Sequence, residues 1–195
     1  MNDFLLVLNV GSSCLKFCVY HRPATGSWRL QARGQIEGIG TSPHLAAKDG
    51  EGKKLDDQAL DDKVKDGRSA LDFLATWLRV RWGSAKLVGV GHRVVHGGAR
   101  YERPVRVTPE VLEDLRSLVP LAPLHQPHNL AAIEAIAQKL PDVPQVACFD
   151  TSFHRGQTAV AELVPLPADI RAKGVQRYGF HGLSYEYIAS VLPEV

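Results

Sequence analysis

The chain has 195 residues, 45% hydrophobic and 23% charged, with 23 Lys and Arg against 21 Asp and Glu. That length supports one substantial core, and a net charge of +2 with both signs interspersed offers no field for nucleic acid or an anionic membrane surface. The apolar run at residues 4–8 is too short to span a bilayer and follows no basic signal segment, so a cytoplasmic protein is expected.

Residues 4–10 are a nearly unbroken apolar run and predict a buried strand. Gly11, Ser12 and Ser13 make a turn, and residues 15–20, rich in β-formers, predict a second strand and hence a hairpin. A third strand is expected over 28–37. From 38 to 66 the chain is rich in Gly, Asp and Lys and reads as a loop-rich surface insert with short edge strands. Leu71, Leu74, Trp77 and Leu78 share one face of a helix over 68–82. Residues 87–92 predict a short strand. Thr108 and Pro109 are cap and first residue of a helix carrying Val111, Leu112, Leu115 and Leu118. Pro127 opens another, with Leu130, Ile133, Ile136 and Leu140 inward, and Pro141 stops it. Residues 145–149 predict a strand ending at Asp150, and 184–192 a last helix, after which the end reads as a cut. A hairpin sheet followed by alternating strands and helices predicts an α/β domain with a mixed sheet flanked by helices.

Three places carry chemistry. The first is Asn9-Val10-Gly11-Ser12-Ser13-Cys14-Leu15-Lys16. A phosphate needs inward backbone N–H groups, hydroxyl donors and a cation, and Gly11, Ser12, Ser13 and Lys16 supply them, with Asn9 offering an amide. A strand follows this turn, unlike the helix that follows a Rossmann or Walker loop; an ordinary Gly-Ser hairpin turn reads the same alone. The second is Arg93 within Gly91-His92-Arg93-Val94-Val95-His96-Gly97-Gly98, whose planar fork suits carboxylate or phosphate. In an extended chain His92 and His96 lie roughly 13 Å apart, too far for one zinc, whose ligands sit within ~2.1 Å. Packing or capping is the expected fate of these histidines. The third is Asp150, a carboxylate at a strand end, placed either to hold a divalent cation or to cap a turn. Three scattered cysteines, Cys14, Cys18 and Cys148, with no CxxC pair, fit reduced thiols.

Taken with Leu121-Ala122-Pro123-Leu124-His125-Gln126-Pro127, Phe149-Asp150-Thr151-Ser152-Phe153-His154 and Arg177-Tyr178-Gly179-Phe180-His181-Gly182, these stretches resemble the acetate kinase family in order and spacing. The resemblance covers essentially the whole chain, and only the amino-terminal half of the family. It implies an actin-like, ribonuclease H-like domain over residues 1–195, with a second, nucleotide-binding domain outside this chain. It implies reversible phosphoryl transfer from ATP to acetate, with Mg²⁺ or Mn²⁺, and a homodimer for the complete protein. The roles it implies are residue by residue. Arg93 would hold the carboxylate and the transferring group, and Asp150 would act at the metal or orient the attacking carboxylate. His181 would bond phosphoryl oxygens, with His125 close by. Val95, Leu124 and Phe180 would line the methyl pocket. Ser12, Ser13 and Lys16 would face the phosphates, and Asn9 the metal. Cys14, Leu183 and Tyr185 depart from the family's serine, threonine and histidine. Two rivals stay open: a propionate or butyrate kinase of the same superfamily, and a non-catalytic binding module. By itself the chain is expected to turn over nothing.

Overall fold

A computed structural model describes residues 3–24, 26–83 and 85–194. β1 (Asp3–Val10) and β2 (Leu15–Arg22) form the expected hairpin, in register from Asp3 opposite Arg22 to Val10 opposite Leu15. Phe4, Leu6, Leu8 and Val10 of β1 are buried, as are Leu15, Phe17 and Val19 of β2. The alternate residues face the other side, and Val7 is 41% exposed. The continuous apolar run thus hides a strand of period two, buried deeply on one face only.

β3 (Arg29–Glu37) pairs antiparallel with β2. The stretch expected to be a loop-rich insert with short edge strands carries two strands, one of them at the edge of the sheet. It folds into β4 (His44–Asp49) and β5 (Lys54–Ala59), two paired six-residue strands. Leu45 and Ala47 of β4 alternate into the core, and Ile39 and Val64 join them. β5 carries Lys54, Asp56 and Asp57 at the sheet margin, a charged edge that disfavours pairing with another chain.

Helix α1 (Gly67–Trp82) opens on a capping box: Ser69 N–H donates to Asp66, and the Ser69 hydroxyl accepts from the Asp66 N–H. It buries Ala70, Leu71, Leu74 and Trp77. β6 (Lys86–Val94) returns parallel to β1. A two-residue strand that the sequence does not announce, β7 (Val105–Arg106), precedes α2 (Pro109–Ser117), whose Thr108 cap accepts from the Val111 N–H. Leu118 caps α2 rather than extending it. α3 (Gln126–Lys139) begins one residue before Pro127. β8 (Gln145–Phe149) lies parallel to β6. Short turns α4 (Ala159–Glu162) and α5 (Ala168–Arg171) lead to α6 (Gly182–Val191), which starts two residues earlier than its apolar pattern.

The eight strands run β5-β4-β3-β2-β1-β6-β8-β7 in one mixed sheet. β1, β6 and β8 are its parallel centre, and Leu8 opposite His92 and Val94 opposite Phe149 bring their carboxyl ends level. In α/β sheets ligands collect beyond such ends. Three helices begin there too. Gly67 of α1 lies beside the Val10 side chain, Asn129 of α3 bonds the Val10 carbonyl, and the Gly182 N–H of α6 donates to the Asp150 carbonyl. A cleft of about 600 Å³ between α1 and α3 is lined by Phe4, Leu78, Trp82, Leu87 and Leu140. It sits at the opposite end of the sheet and plays no part in this convergence.

Candidate active site

Arg93, the penultimate residue of β6, leaves the sheet on the same face as Asn9 of the neighbouring strand. Its Nε and Nη2 both donate to Asp150 Oδ2, at 3.1 Å for Nε, and its Nη1 donates to Asn9 Oδ1 at 3.3 Å. Residues 84 and 57 positions from Arg93 therefore meet at one guanidinium. Asp150 is 2% exposed while Arg93 keeps a quarter of its side chain open, so the pair presents its cation, not its carboxylate, to solvent. His181 joins from α6, with Nδ1 3.9 Å from Asp150 Oδ2.

His181 is the one non-glycine residue at positive φ among those described, at φ 58 and ψ 22, in the N-cap position of α6. That conformation costs about 1–2 kcal/mol for an L-residue. The next residue must be small: a Cβ on Gly182 would sit 2.3 Å from the Asp150 carbonyl oxygen.

The Gly11 turn closes through Gly11 N–H to the Cys14 carbonyl at 2.8 Å, and Ile39 N–H holds the Ser13 carbonyl at 3.1 Å. Ser12, Ser13 and Lys16 are exposed, and Lys16 lies directly across the hairpin from Asn9. Lys16 has no ion-pair partner among the described residues. Cys14 is half-buried, and burial pushes its thiol above the ordinary value.

Two buried amides in the first turn of α3 set the distances. Asn129 Nδ2 donates to the Val10 carbonyl at 2.8 Å, and its Oδ1 accepts from Val95 N–H at 3.0 Å. Gln126 accepts from His96 N–H at 3.1 Å and donates to the His96 carbonyl at 3.0 Å. Neither amide was singled out by sequence reasoning; their only sign is two carboxamides where a helix opens on Pro127. Of the apolar candidates, Val95 is 5% exposed and Phe180 packs edge-on against His96, with ring centroids 5.8 Å apart. Leu124 is 76% exposed, and His125 occupies the exposed N-cap position of α3 without a side-chain cap bond. The structure therefore gathers Asn9, Arg93, Asp150 and His181 by direct contact. It places the Ser12–Ser13 turn, Val95 and Phe180 at the same end of the sheet, and puts Leu124 and His125 one turn ahead of Asn129. His92 packs inward, donating from Nε2 to Gln145 Oε1 at 2.7 Å.

A divalent cation suits the donor chemistry. Asn9 Oδ1, Asp150 Oδ1 and the serine hydroxyls are hard oxygens. No group of three His, Cys, Asp or Glu capable of holding a metal occurs among the described residues. One carboxylate with a few hard oxygens fits a Mg²⁺ that takes most of its ligands from water or a bound anion.

A mixed eight-stranded sheet flanked by helices, with β1, β6 and β8 as its parallel centre, has the architecture of an actin-like domain. The chain belongs to the Acetokinase family, whose profile matches residues 4–195. It is 50% identical to an acetate kinase of Rhizobium meliloti over 99% of its length and 49% of that protein. It is 47% identical to an acetate kinase of Rhodopseudomonas palustris, again over 49% of that protein. The crystal structure of Porphyromonas gingivalis acetate kinase superposes with a TM-score of 0.82 at 34% identity, covering 98% of this chain and 48% of that one. A propionate kinase from Francisella tularensis superposes with a TM-score of 0.83 at 31% identity, over 96% of this chain and 47% of that one. The chain spans about half the length of the relatives it matches.

Proposed function

We propose that this chain supplies the carboxylate- and phosphoryl-binding half of an acetate kinase, which transfers the γ-phosphoryl group of ATP to acetate. One observation carries the reading: a single guanidinium, Arg93, held between Asn9 and Asp150 where three parallel strands end. Arginine has five N–H donors; three are committed to Asp150 and Asn9, and the remaining two are available to an anion.

In this reading an acetate oxygen attacks the γ-phosphorus in line. The new P–O bond forms as the bond to the β–γ bridging oxygen breaks, giving acetyl phosphate and ADP. A carboxylate with pKa near 4 is already ionised at neutral pH, so no general base is required. The protein's task is positioning and charge neutralisation. Arg93 and His181 would face the transferring oxygens, Asp150 would hold Arg93 in orientation, and Val95 and Phe180 would line the acyl side. Leu124 and His125 would border it from the start of α3. The exposed Ser12–Ser13 turn and Lys16 would face the nucleotide phosphates. Mg²⁺ or Mn²⁺ would be held beside Asn9 and the free oxygen of Asp150, neutralising phosphate charge. The adenosine site, a homodimer interface and a cytoplasmic location belong to the same reading of the complete protein.

Propionate is the second reading, favoured by the likeness to the Francisella tularensis propionate kinase. One methylene is worth only ~1–3 kcal/mol of discrimination. The test is a hybrid joining residues 1–195 to the carboxyl-terminal half of Rhizobium meliloti acetate kinase, assayed for hydroxylamine-trapped acyl phosphate with acetate, propionate and butyrate in competition. Acetyl phosphate is expected to dominate. A folded hybrid that makes no acyl phosphate sinks the kinase reading, and one that prefers propionate moves it to the alternative.

A further inference from the structure

The left-handed backbone of His181 is unfavourable for an isolated chain, so the segment before it must be held. Two histidines outside the catalytic set grip that segment. His96, 1% exposed, has its backbone N–H and carbonyl bonded to the Gln126 amide, and its Nδ1 accepts the Gly98 N–H at 2.8 Å. That bond fixes the proton on Nε2 and locks the ring. The ring edge meets Tyr178 at 4.5 Å and Phe180 at 5.8 Å between centroids. His154 donates from Nε2 to the Phe180 carbonyl at 3.0 Å, and its ring is steadied by Phe153 and Tyr185, each at 5.5 Å. Gly179 lies flat against it: a Cβ there would be 2.3 Å from His154 Cγ.

The geometry points to His96 and His154 as a pair of positioning residues that clamp residues 178–180, and thereby set Phe180 and His181 against Arg93 and Asp150. This rests on the reading of Phe180 and His181 as substrate-facing groups. His96 hangs from β6 and α3, and His154 follows β8, so the clamp ties the start of α6 to the two strands that carry Arg93 and Asp150.

Two experiments test it. In the 195-residue chain with labelled histidines, long-range proton–nitrogen correlation spectra are expected to show both His96 and His154 protonated at Nε2 and bare at Nδ1. Gly179→Ala is expected to shift the His154 and His181 signals. In the hybrid enzyme, His154→Ala and Gly179→Ala are expected to lower kcat about tenfold or more while leaving the KM for ATP within about twofold, and His154→Gln, whose amide reaches the same carbonyl, to restore kcat to within about threefold of the parent. His96→Asn, which keeps the acceptor and loses the ring, is expected to raise the KM for the carboxylate about fivefold. A His154 ring bare at Nε2, a Gly179→Ala spectrum unchanged at His154 and His181, or equal kcat in the Ala and Gln variants overturns the clamp. A hybrid inactive before any substitution defeats the kinase reading instead, and the spectra of the chain then decide the clamp alone.

Discussion

Arg93 is held in place before any ligand arrives, since Asp150 and Asn9 take three of its donors and orient the other two. Preorganised charge of this kind is what a phosphoryl transfer site needs, because orienting a free side chain during reaction would add to the barrier. Arg93→Ala in the hybrid enzyme is therefore expected to lower turnover by about 10² or more, and Arg93→Lys not to rescue it, because a lysine cannot bridge Asp150 and Asn9 as a planar fork does. Turnover within about threefold of the parent would remove Arg93 from the site. Cys14 is a second residue-scale question. Its half-buried thiol, held protonated by its surroundings, is a weak donor to phosphate and a poor neighbour for a hard cation. Cys14→Ser is expected to lower the KM for Mg-ATP by about two- to tenfold. An unchanged or higher KM would show that the turn's backbone alone binds the phosphates.

Elements are joined across the site by side-chain amides rather than by strand pairing. Asn129, 3% exposed on α3, bonds the backbone of both β1 and β6 at the points where they leave the sheet. Asn129→Leu keeps the volume but orphans the Val10 carbonyl and the Val95 N–H in a buried place. Each unsatisfied group costs about 1–3 kcal/mol, so a loss of about 2–6 kcal/mol in urea unfolding is expected. A change below about 0.5 kcal/mol would mean that water or a backbone shift satisfies both groups. Such a bridge joins residues 119 apart, and no local pattern announces it. What the sequence does announce is local. Apolar runs located β1, β2, β6 and β8, helical spacing located α1 and α3, and Thr108-Pro109 located the start of α2. In the segment 38–66 the strands could be expected only as short edge strands without bounds, because few residues, Leu45, Ala47 and Leu55, alternate inward in β4 and β5, while Asp56, Asp57 and Lys54 fill a charged edge. The approach to His181 was hidden for a related reason: α4 and α5 are four residues each, too short to show a period. The Gly11 turn, Arg93 and Asp150 could be picked out as candidates because each sits at the end of a readable strand. The histidines that hold His181 could not, since their partners come from distant turns.

At the scale of the whole molecule, one buried histidine links the sheet's centre to pH. His92 is 3% exposed in β6, one residue before Arg93, and its Nε2 bonds Gln145 of β8. Burial pushes its pKa down from 6.5 to about 4, with the Gln145 bond acting in the opposite direction. The unfolded chain binds a proton at this position below about pH 6.5, whereas the folded chain does so only near pH 4. The contribution to stability is thus complete above pH 6.5 and is lost as pH falls through that window. The slope is about 1.4 kcal/mol per pH unit, for a total of about 3 kcal/mol. Burial lowers the pKa of His96 as well, which adds to the loss in the same direction. His92→Gln keeps a donor for Gln145 and removes the titration. Between pH 7 and pH 5 the parent chain is expected to lose about 2 kcal/mol more stability in urea than this variant. Parallel pH dependence in the two proteins would mean that His92 takes up its proton at the same pH in the folded and unfolded chains, and the sheet's centre would then tolerate a buried imidazolium below about pH 6.5 within one residue of Arg93.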